Sequence, residues 1–414
     1  MSPASADELP DGAVAPSDAP PPAEPVPDPQ PGKHHKHDKG SQDTGTIPSA
    51  ATEQPPVDPG MTDGSTKAKK KKKKKKKHGK LEFGGRVFVR GAVVKTQGEP
   101  DAVAQGTVNS ARVGFDYRWH DLRVNVEAEI AFKFRIKDAF IQLRVTEAGP
   151  KVDVRAGYFK MPFSAIQLTS IWAMPTGDRG LLDNVLVKRL QVAGRASGAM
   201  AIIELPGGWS PTVRAGVFQG VDDAGTPLAV AASRFGQDGV VRFSVKPAKE
   251  LELGIAGSAR VGELQVVPLA VSRAYAAELD ATLSIDAGPG VLRAWGEGML
   301  GTSWLVAGSD PGHTRATFAE GRGIVSYRLG GATHGERYVE VYGLFGALDP
   351  DSSTRNDLVI EATGGLTYGA WNAWRLQAEL ERWQVGRNAP IGIVELGVGP
   401  ATSTTFFLQL GATI

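Results

Sequence analysis

From Leu81 onward, apolar and polar residues alternate along the chain with a period of two, the spacing of a β-strand with one apolar face. Leu122, Val124 and Val126 are apolar, and the intervening Arg123 and Asn125 are polar. Sixteen segments follow this pattern, at 86–94, 111–119, 122–130, 137–146, 151–159, 191–204, 210–218, 238–247, 250–260, 274–286, 290–303, 316–329, 336–347, 356–369, 371–384 and 403–414. The pattern therefore predicts an all-β domain of sixteen strands.

The links between these segments alternate in length. Turn-rich short links occur at 120–121, 148–150, 206–208, 247–249, 287–289, 330–335 and 369–370. Longer links lie at 96–107, 160–190, 219–237, 261–273, 304–315, 348–355 and 385–402, and the short link at 132–136 is the exception. Short turns on one rim and long loops on the other are typical of outer-membrane barrels. We therefore predict a 16-stranded antiparallel transmembrane β-barrel over residues 81–414, with both of its ends on the short-turn rim.

A soluble β-sandwich or propeller is the competing fold, because alternation alone does not distinguish a lipid-facing wall from a packed core. No repeat of about forty residues indicates a propeller. Many segments reach about ten residues or more, enough to cross a hydrocarbon layer at a tilt. Aromatic residues near segment ends resemble interfacial belts, at Trp119, Tyr158, Trp209, Trp304, Tyr327, Tyr368, Trp371 and Trp383. These features favour the barrel.

Residues 1–80 have a different composition, rich in Pro, Asp, Ala and Gly, with no apolar periodicity. Such a segment buries too little apolar surface to offset its ordering entropy, so we expect a disordered tail. Lys69 to Lys77 form an unbroken run of nine lysines, suited to an anionic cell-wall polymer, whereas nucleic acid is a poor match for an outer-membrane protein. No basic and apolar leader is visible in residues 1–31, although the barrel predicts export.

The formal charge of the chain is concentrated in this tail. The whole chain has 47 basic and 45 acidic residues, and the part after residue 80 has 33 basic and 34 acidic ones. Because there is no cysteine, disulfides, zinc–thiolate sites and Fe–S clusters are excluded. No Gly-rich phosphate loop or nucleophile elbow occurs, so we expect neither an enzyme nor a cofactor or metal site.

The link around 160–190 is the longest interruption in the strand rhythm, and a distinctive motif precedes it. Gly157, Phe159, Lys160, Pro162, Phe163 and Ser164 match a G-x-F-K-x-P-F-x pattern. In this stretch the chain resembles the phosphate-selective porin O and P family of Gram-negative outer membranes. The resemblance implies a porin in which the following loop enters the barrel and narrows it. The balanced charge of the body and Ile414, where an aromatic residue is usual, depart from the family.

Basic residues are the candidates for lining the constriction. The loop contributes Lys160, Arg179, Lys188 and Arg189, and the polar strand faces contribute Arg86, Arg90, Arg112, Arg118, Arg123, Arg144, Arg155 and Arg195. Rings of basic side chains favour anions, while Asp116, Glu127 and Glu129 would weaken that preference. The alternative for any one of them is a side chain that only solvates the lumen and pairs across strands.

The resulting hypothesis is an outer-membrane porin for passive diffusion, mildly selective for anions such as phosphate. Its expected partners are small anions or polar solutes, outer-membrane lipids and two further copies of the chain in a homotrimer. The alternative is a structural barrel with a plugged lumen, which the lysine run anchors to anionic periplasmic polymers.

Overall fold

The computed structural model describes residues 79–131, 134–146, 149–190, 192–219, 237–263, 271–302, 317–389 and 401–413. The strands are β1 (Lys80–Thr96), β2 (Val103–Trp119), β3 (Leu122–Glu129), β4 (Arg135–Thr146), β5 (Lys151–Lys160), β6 (Arg195–Glu204), β7 (Thr212–Gln219), β8 (Gln237–Ala248), β9 (Leu251–Glu263), β10 (Val271–Ala287), β11 (Gly290–Thr302), β12 (Thr317–Gly330), β13 (Arg337–Asp349), β14 (Val359–Ala370), β15 (Trp374–Val385) and β16 (Ala401–Thr413). The predicted lysine run, the rest of residues 1–78 and Trp304 lie outside the described residues.

The strands form one closed antiparallel barrel, in which each strand pairs with its neighbours in sequence and β1 pairs with β16. Val89 lies opposite Leu410 at this closing seam. The predicted fold and strand number are confirmed. Some boundaries differ: β15 begins at Trp374 because Asn372, with φ of 57°, forms a turn over 371–373, and β6 begins only at Arg195, after Gly194 with φ of 116°.

The outer face of the barrel is apolar along the strands. Large exposed side chains alternate with inward-facing ones, and they include Val241, Ile255, Leu279, Leu300, Val325, Val341, Phe345, Leu380 and Leu408. Leu279 is 67% exposed and Leu300 is 61% exposed. An apolar wall of this extent is unusual for a surface in water and suits contact with lipid.

The interior differs from the uniformly wet lumen that a wide barrel predicts. Inward-facing residues such as Phe218, Met299, Phe318 and Leu348 are buried in an apolar cluster, together with side chains of the segment 161–194. Trp383 belongs to this cluster and is only 4% exposed, so its assignment to an interfacial belt is wrong. It occupies an inward position of β15, where the inserted segment gives it apolar neighbours.

The segment 161–194, which we call the inner loop, joins β5 to β6. It contains the helical turns α1 (Ala165–Leu168) and α2 (Leu181–Asn184), and a π-helical turn (Val185–Arg189) follows α2. Among the described residues, no helix is both long and apolar enough to cross a membrane.

Candidate functional site

The motif before the inner loop directs the chain into the barrel. Gly157 has φ of 133°, and a Cβ there would lie 2.2 Å from the carbonyl oxygen of Ala139 on β4, so only glycine fits. Phe159 and Phe163 are almost completely buried in the interior apolar cluster, and Pro162 between them is also buried. These residues hold the start of the inner loop against the inside of the wall.

Ser164 ends the motif and caps α1. Its φ is 65°, and its side-chain oxygen accepts a hydrogen bond from the backbone N–H of Gln167 at 3.0 Å. The same hydroxyl lies 3.0 Å from a carboxylate oxygen of Glu297 on β11 and donates to it. A single fully buried serine therefore sets both the local turn and its attachment to a distant strand.

Four wall carboxylates accept hydrogen bonds from backbone N–H groups of the inner loop. Glu278 on β10 accepts from Ser164 at 2.6 Å and from Ala165 at 2.8 Å. Glu297 accepts from Ile166 at 3.1 Å, Glu361 on β14 from Leu182 at 2.8 Å, and Glu379 on β15 from Gly177 at 2.8 Å. Because buried N–H groups need partners, these acids fix the path of the loop. We call β10–β15 the docking wall.

Arginines of the docking wall satisfy the carbonyl groups of the same loop. Arg375 donates to the carbonyl oxygens of Met174 at 2.8 Å and of Ile171 at 3.1 Å. Arg293 donates to the carbonyl oxygen of Ala173 at 3.0 Å. Acids and bases of this wall thus serve complementary halves of the loop backbone.

On the other side of the barrel, a narrow space, which we call the passage, lies between the inner loop and the wall. It is a space of about 70 Å³. Its basic lining residues are Arg86, Arg112, Arg123, Lys160, Arg179 and Arg195, and its acidic ones are Glu127 and Asp138. Six basic against two acidic side chains give a formal excess of four positive charges around this space. We call β1–β6 the basic wall.

The two acids of the passage each pair with arginine. Glu127 accepts from Arg86 and from Arg112, each at 2.9 Å, and Asp138 accepts from Arg195 at 3.0 Å. Arg112 also pairs with Glu129 at 3.1 Å and Arg123 with Asp116 at 2.6 Å, so four acids partner the six bases and a formal excess of two positive charges is left. The electrostatic potential of the passage is therefore positive.

The inner loop itself contributes Arg179 to the basic lining of the passage. Arg179 donates to the carbonyl oxygens of Ile166 at 3.0 Å and Thr169 at 2.5 Å, which fixes its side chain. Removal from water lowers the pKa of Arg179 to about 10, so the guanidinium stays charged at neutral pH. Burial raises the pKa of the nearby Asp183 carboxyl, against the opposing effect of Arg322 and Arg179.

A wider vestibule of about 970 Å³ lies on the short-turn side of the passage. Its wall includes His120 and Asp121 of the β2–β3 turn and Trp371 of the β14–β15 turn. Arg123 and Ser170 line both spaces, so the vestibule and the passage adjoin each other. A solute entering from the short-turn rim would meet the basic wall at the narrow end.

The structure brings six of the twelve predicted lining residues together around the passage. The passage is lined by Arg86, Arg112, Arg123, Lys160, Arg179 and Arg195, and the vestibule by Arg118, Arg144 and Arg155. Arg90 forms an ion pair with Asp178 of the inner loop at 2.9 Å. The side chains of Lys188 and Arg189 lie outside the described residues.

The docking acids were not predicted. Their signal is present in the sequence, since Glu278, Glu297, Glu361 and Glu379 all occupy inward positions of long alternating strands. Carboxylates repeated on an otherwise dry interior face need donors, and the inner loop supplies them.

Comparison with solved structures shows which proteins share this fold. The anion-selective porin from Comamonas acidovorans matches with a TM-score of 0.55 and 11% identity, covering 81% of this chain and 100% of that one. The outer membrane channel DcaP of Acinetobacter baumannii matches with a TM-score of 0.55 and 12% identity, covering 82% and 99%. OprB of Pseudomonas putida matches with a TM-score of 0.52 and 10% identity, covering 81% and 94%.

The chain therefore has the β-barrel fold of bacterial outer-membrane porins. At these identities the similarity extends to the fold alone. No protein-family model matches the sequence, and a search of curated proteins finds no match.

Proposed function

We propose that this protein is a channel of the bacterial outer membrane that allows passive diffusion of small solutes and prefers anions. The excess of positive charge around the passage, six bases against their four acidic partners, carries this proposal. A solute at that point is close to several guanidinium groups, and fixed charges at a constriction select ions of opposite sign. The apolar outer face supports a place in the membrane.

The anion preference depends on which acidic and basic side chains of the barrel face the passage. Four acids of the docking wall accept hydrogen bonds from the inner loop, so the balanced charge of the whole body does not describe the passage. A small oxyanion such as phosphate fits a basic space of about 70 Å³. This size and charge are consistent with the resemblance to the phosphate-selective porin O and P family, and membership of that family stays a prediction. So do the homotrimer and the absence of enzymatic activity.

Reversal potentials in planar bilayers test the proposal. With purified protein in a tenfold KCl gradient, we expect a reversal potential of the sign that chloride permeation gives. Addition of phosphate should then reduce the chloride current if the two anions share the passage. A reversal potential of the potassium sign would contradict the anion preference.

A matched pair of variants locates the selective residue. Arg112→Gln removes a charge of the passage, whereas Arg382→Gln removes one from the exposed outer face of β15. Coulomb's law for a charge about 10 Å away in a largely aqueous medium gives about a two- to fourfold loss of the chloride over potassium permeability ratio for Arg112→Gln. The Arg382→Gln variant should keep the wild-type ratio.

A plugged structural barrel is the second candidate, and the apolar cluster between the inner loop and the docking wall favours it. That packing fills much of the interior on one side. Protein that inserts into the bilayer without measurable current would support this candidate.

A further inference from the structure

Arg322 lies on β12 of the docking wall, and its side chain is completely buried. Its Nε donates to Glu297 at 2.7 Å, and it also forms an ion pair with Glu320 at 3.3 Å. These two contacts fix the guanidinium to the docking wall.

The same guanidinium reaches both helical turns of the inner loop. Its Nη2 lies 3.2 Å from the hydroxyl oxygen of Ser164, the cap of α1, and 3.2 Å from a carboxylate oxygen of Asp183 in α2. Its Nη1 donates to the carbonyl oxygen of Arg179 at 3.4 Å. One side chain therefore joins α1, α2 and the turn between them to the wall.

A planar group with several fixed donors is needed for this arrangement. Three carboxylates, those of Glu297, Glu320 and Asp183, surround the guanidinium in the interior. The single ammonium of lysine does not offer the same fork of donors. Without the arginine, these buried acids would have lost their shared partner, and the loop would separate from the wall so that water could reach them.

The position of Arg322 affects the passage through Arg179. Arg322 bonds the backbone of Arg179, and the side chain of Arg179 lines the passage. We propose that Arg322 is a positioning residue: it holds the inner loop so that Arg179 faces the basic wall at a fixed distance. The predicted effect on selectivity rests on the proposed channel function. The position of the inner loop, the structural half of the proposal, can be measured without any current.

Spin-label distances test the structural half. Asn184 in α2 is exposed, as is Gln97 beyond the end of β1, and the chain has no native cysteine. With Asn184→Cys and Gln97→Cys labelled, we expect one narrow distance peak, and its loss in Arg322→Gln. Arg118→Gln is the control, because Arg118 also lines the inside of the barrel but forms its ion pair with Asp116 on β2 at 2.7 Å, away from the docking wall. An unchanged peak in a folded Arg322→Gln barrel would overturn the proposal.

A second variant covers the case in which Arg322→Gln does not fold, and it separates position from charge. Asp183→Asn weakens the link to Arg322 from the loop side and leaves the wall intact. Loss of a negative charge alone would raise the chloride over potassium ratio, whereas displacement of Arg179 would lower it. We expect the ratio to fall by about two- to fourfold, the effect of moving one charge away from the passage. A rise in the ratio with an unchanged distance peak would contradict the proposal.

A disulfide across the contact between loop and wall provides the rescue. A Cβ at Gly346 on β13 would lie 3.6 Å from Leu182 Cγ, so Leu182→Cys with Gly346→Cys places two thiols within reach of each other. Oxidation of this pair in the Asp183→Asn variant should restore the ratio, and reduction should abolish the rescue. If wild-type protein carries no current but the distance peak still depends on Arg322, the channel function fails and the positioning role stands.

Discussion

The docking wall and the basic wall use charged residues in opposite ways. On β10–β15, acids such as Glu278 and Glu361 are buried under the inner loop and accept its backbone N–H groups. On β1–β6, Arg112 and Arg195 line the passage. Both walls carry acids and bases, but only the basic wall presents them to the passage.

This difference explains how a nearly neutral barrel can have a positively charged passage. The body has 33 basic and 34 acidic residues, which alone predicts little selectivity. Fixing a loop inside a barrel requires hydrogen-bond acceptors for its N–H groups, and carboxylates supply them. On the strands of the docking wall seven acids but only four arginines are buried, so more negative than positive charge is removed from the passage.

The largest effect is expected from removing the apolar contact that holds the inner loop on the docking wall. Leu182 is completely buried in the cluster, so Leu182→Ala should cost about 2–5 kcal/mol of loop docking. The expected result is faster protease cleavage of the inner loop while the far-ultraviolet circular dichroism of the barrel is kept. Leu380→Ala, at an outward position that is 53% exposed, is the control and should leave cleavage unchanged. Equal cleavage in both variants would mean that the cluster does not hold the loop.

A smaller effect is expected from overfilling the same contact without any change of charge. In Gly346→Ala the new Cβ would lie 2.6 Å from Leu182 Cδ1, which should weaken docking by about 1–3 kcal/mol. Gly321→Ala on the neighbouring strand is the control, since its Cβ would meet nothing within 4 Å. Thermal release of the loop, followed by the spin-label pair, should shift to lower temperature only in Gly346→Ala.

The smallest effect is expected from raising the salt concentration, which should weaken the selectivity set by the basic wall and leave the docking of the inner loop unchanged. The basic wall acts through a wet space, and the Debye length falls from about 10 Å at 0.1 M to about 3 Å at 1 M salt. The chloride over potassium ratio should therefore decrease toward the ratio of the free mobilities as KCl rises. Loop docking depends on buried pairs, so the spin-label distance should stay constant over the same range. A ratio independent of salt would argue against selection by fixed charge.

The sequence predicts the barrel well because alternation is a local property. Strands such as β12 and β13 show it over more than ten residues, and their predicted bounds agree with the structure within a few residues. The predicted strand bounds were wrong at turns that depend on a single residue with positive φ, such as Asn372. The close approach of β4 to Gly157 was also predictable in principle, since a glycine inside a strand indicates a close backbone approach.

Which wall binds the inner loop and which wall lines the passage was not predictable in the same way. Ser164 and Glu297 are 133 positions apart, so their hydrogen bond follows from how the loop folds across the barrel and from no local pattern. Alternation places Glu127 and Glu361 alike on inward positions and does not tell which of them the loop covers. For the same reason it does not reveal the role of Arg322.

The most direct measurement compares the loss of one acid from each wall. Glu127→Gln removes a charge that lines the passage, and Glu361→Gln removes one that is buried under Leu182 while keeping an acceptor for its N–H. In reversal-potential recordings at 0.1 M KCl, Glu127→Gln should raise the chloride over potassium ratio by about two- to fourfold, and Glu361→Gln should change it much less. Equal increases in the two variants would contradict the claim that only the basic wall sets the selectivity.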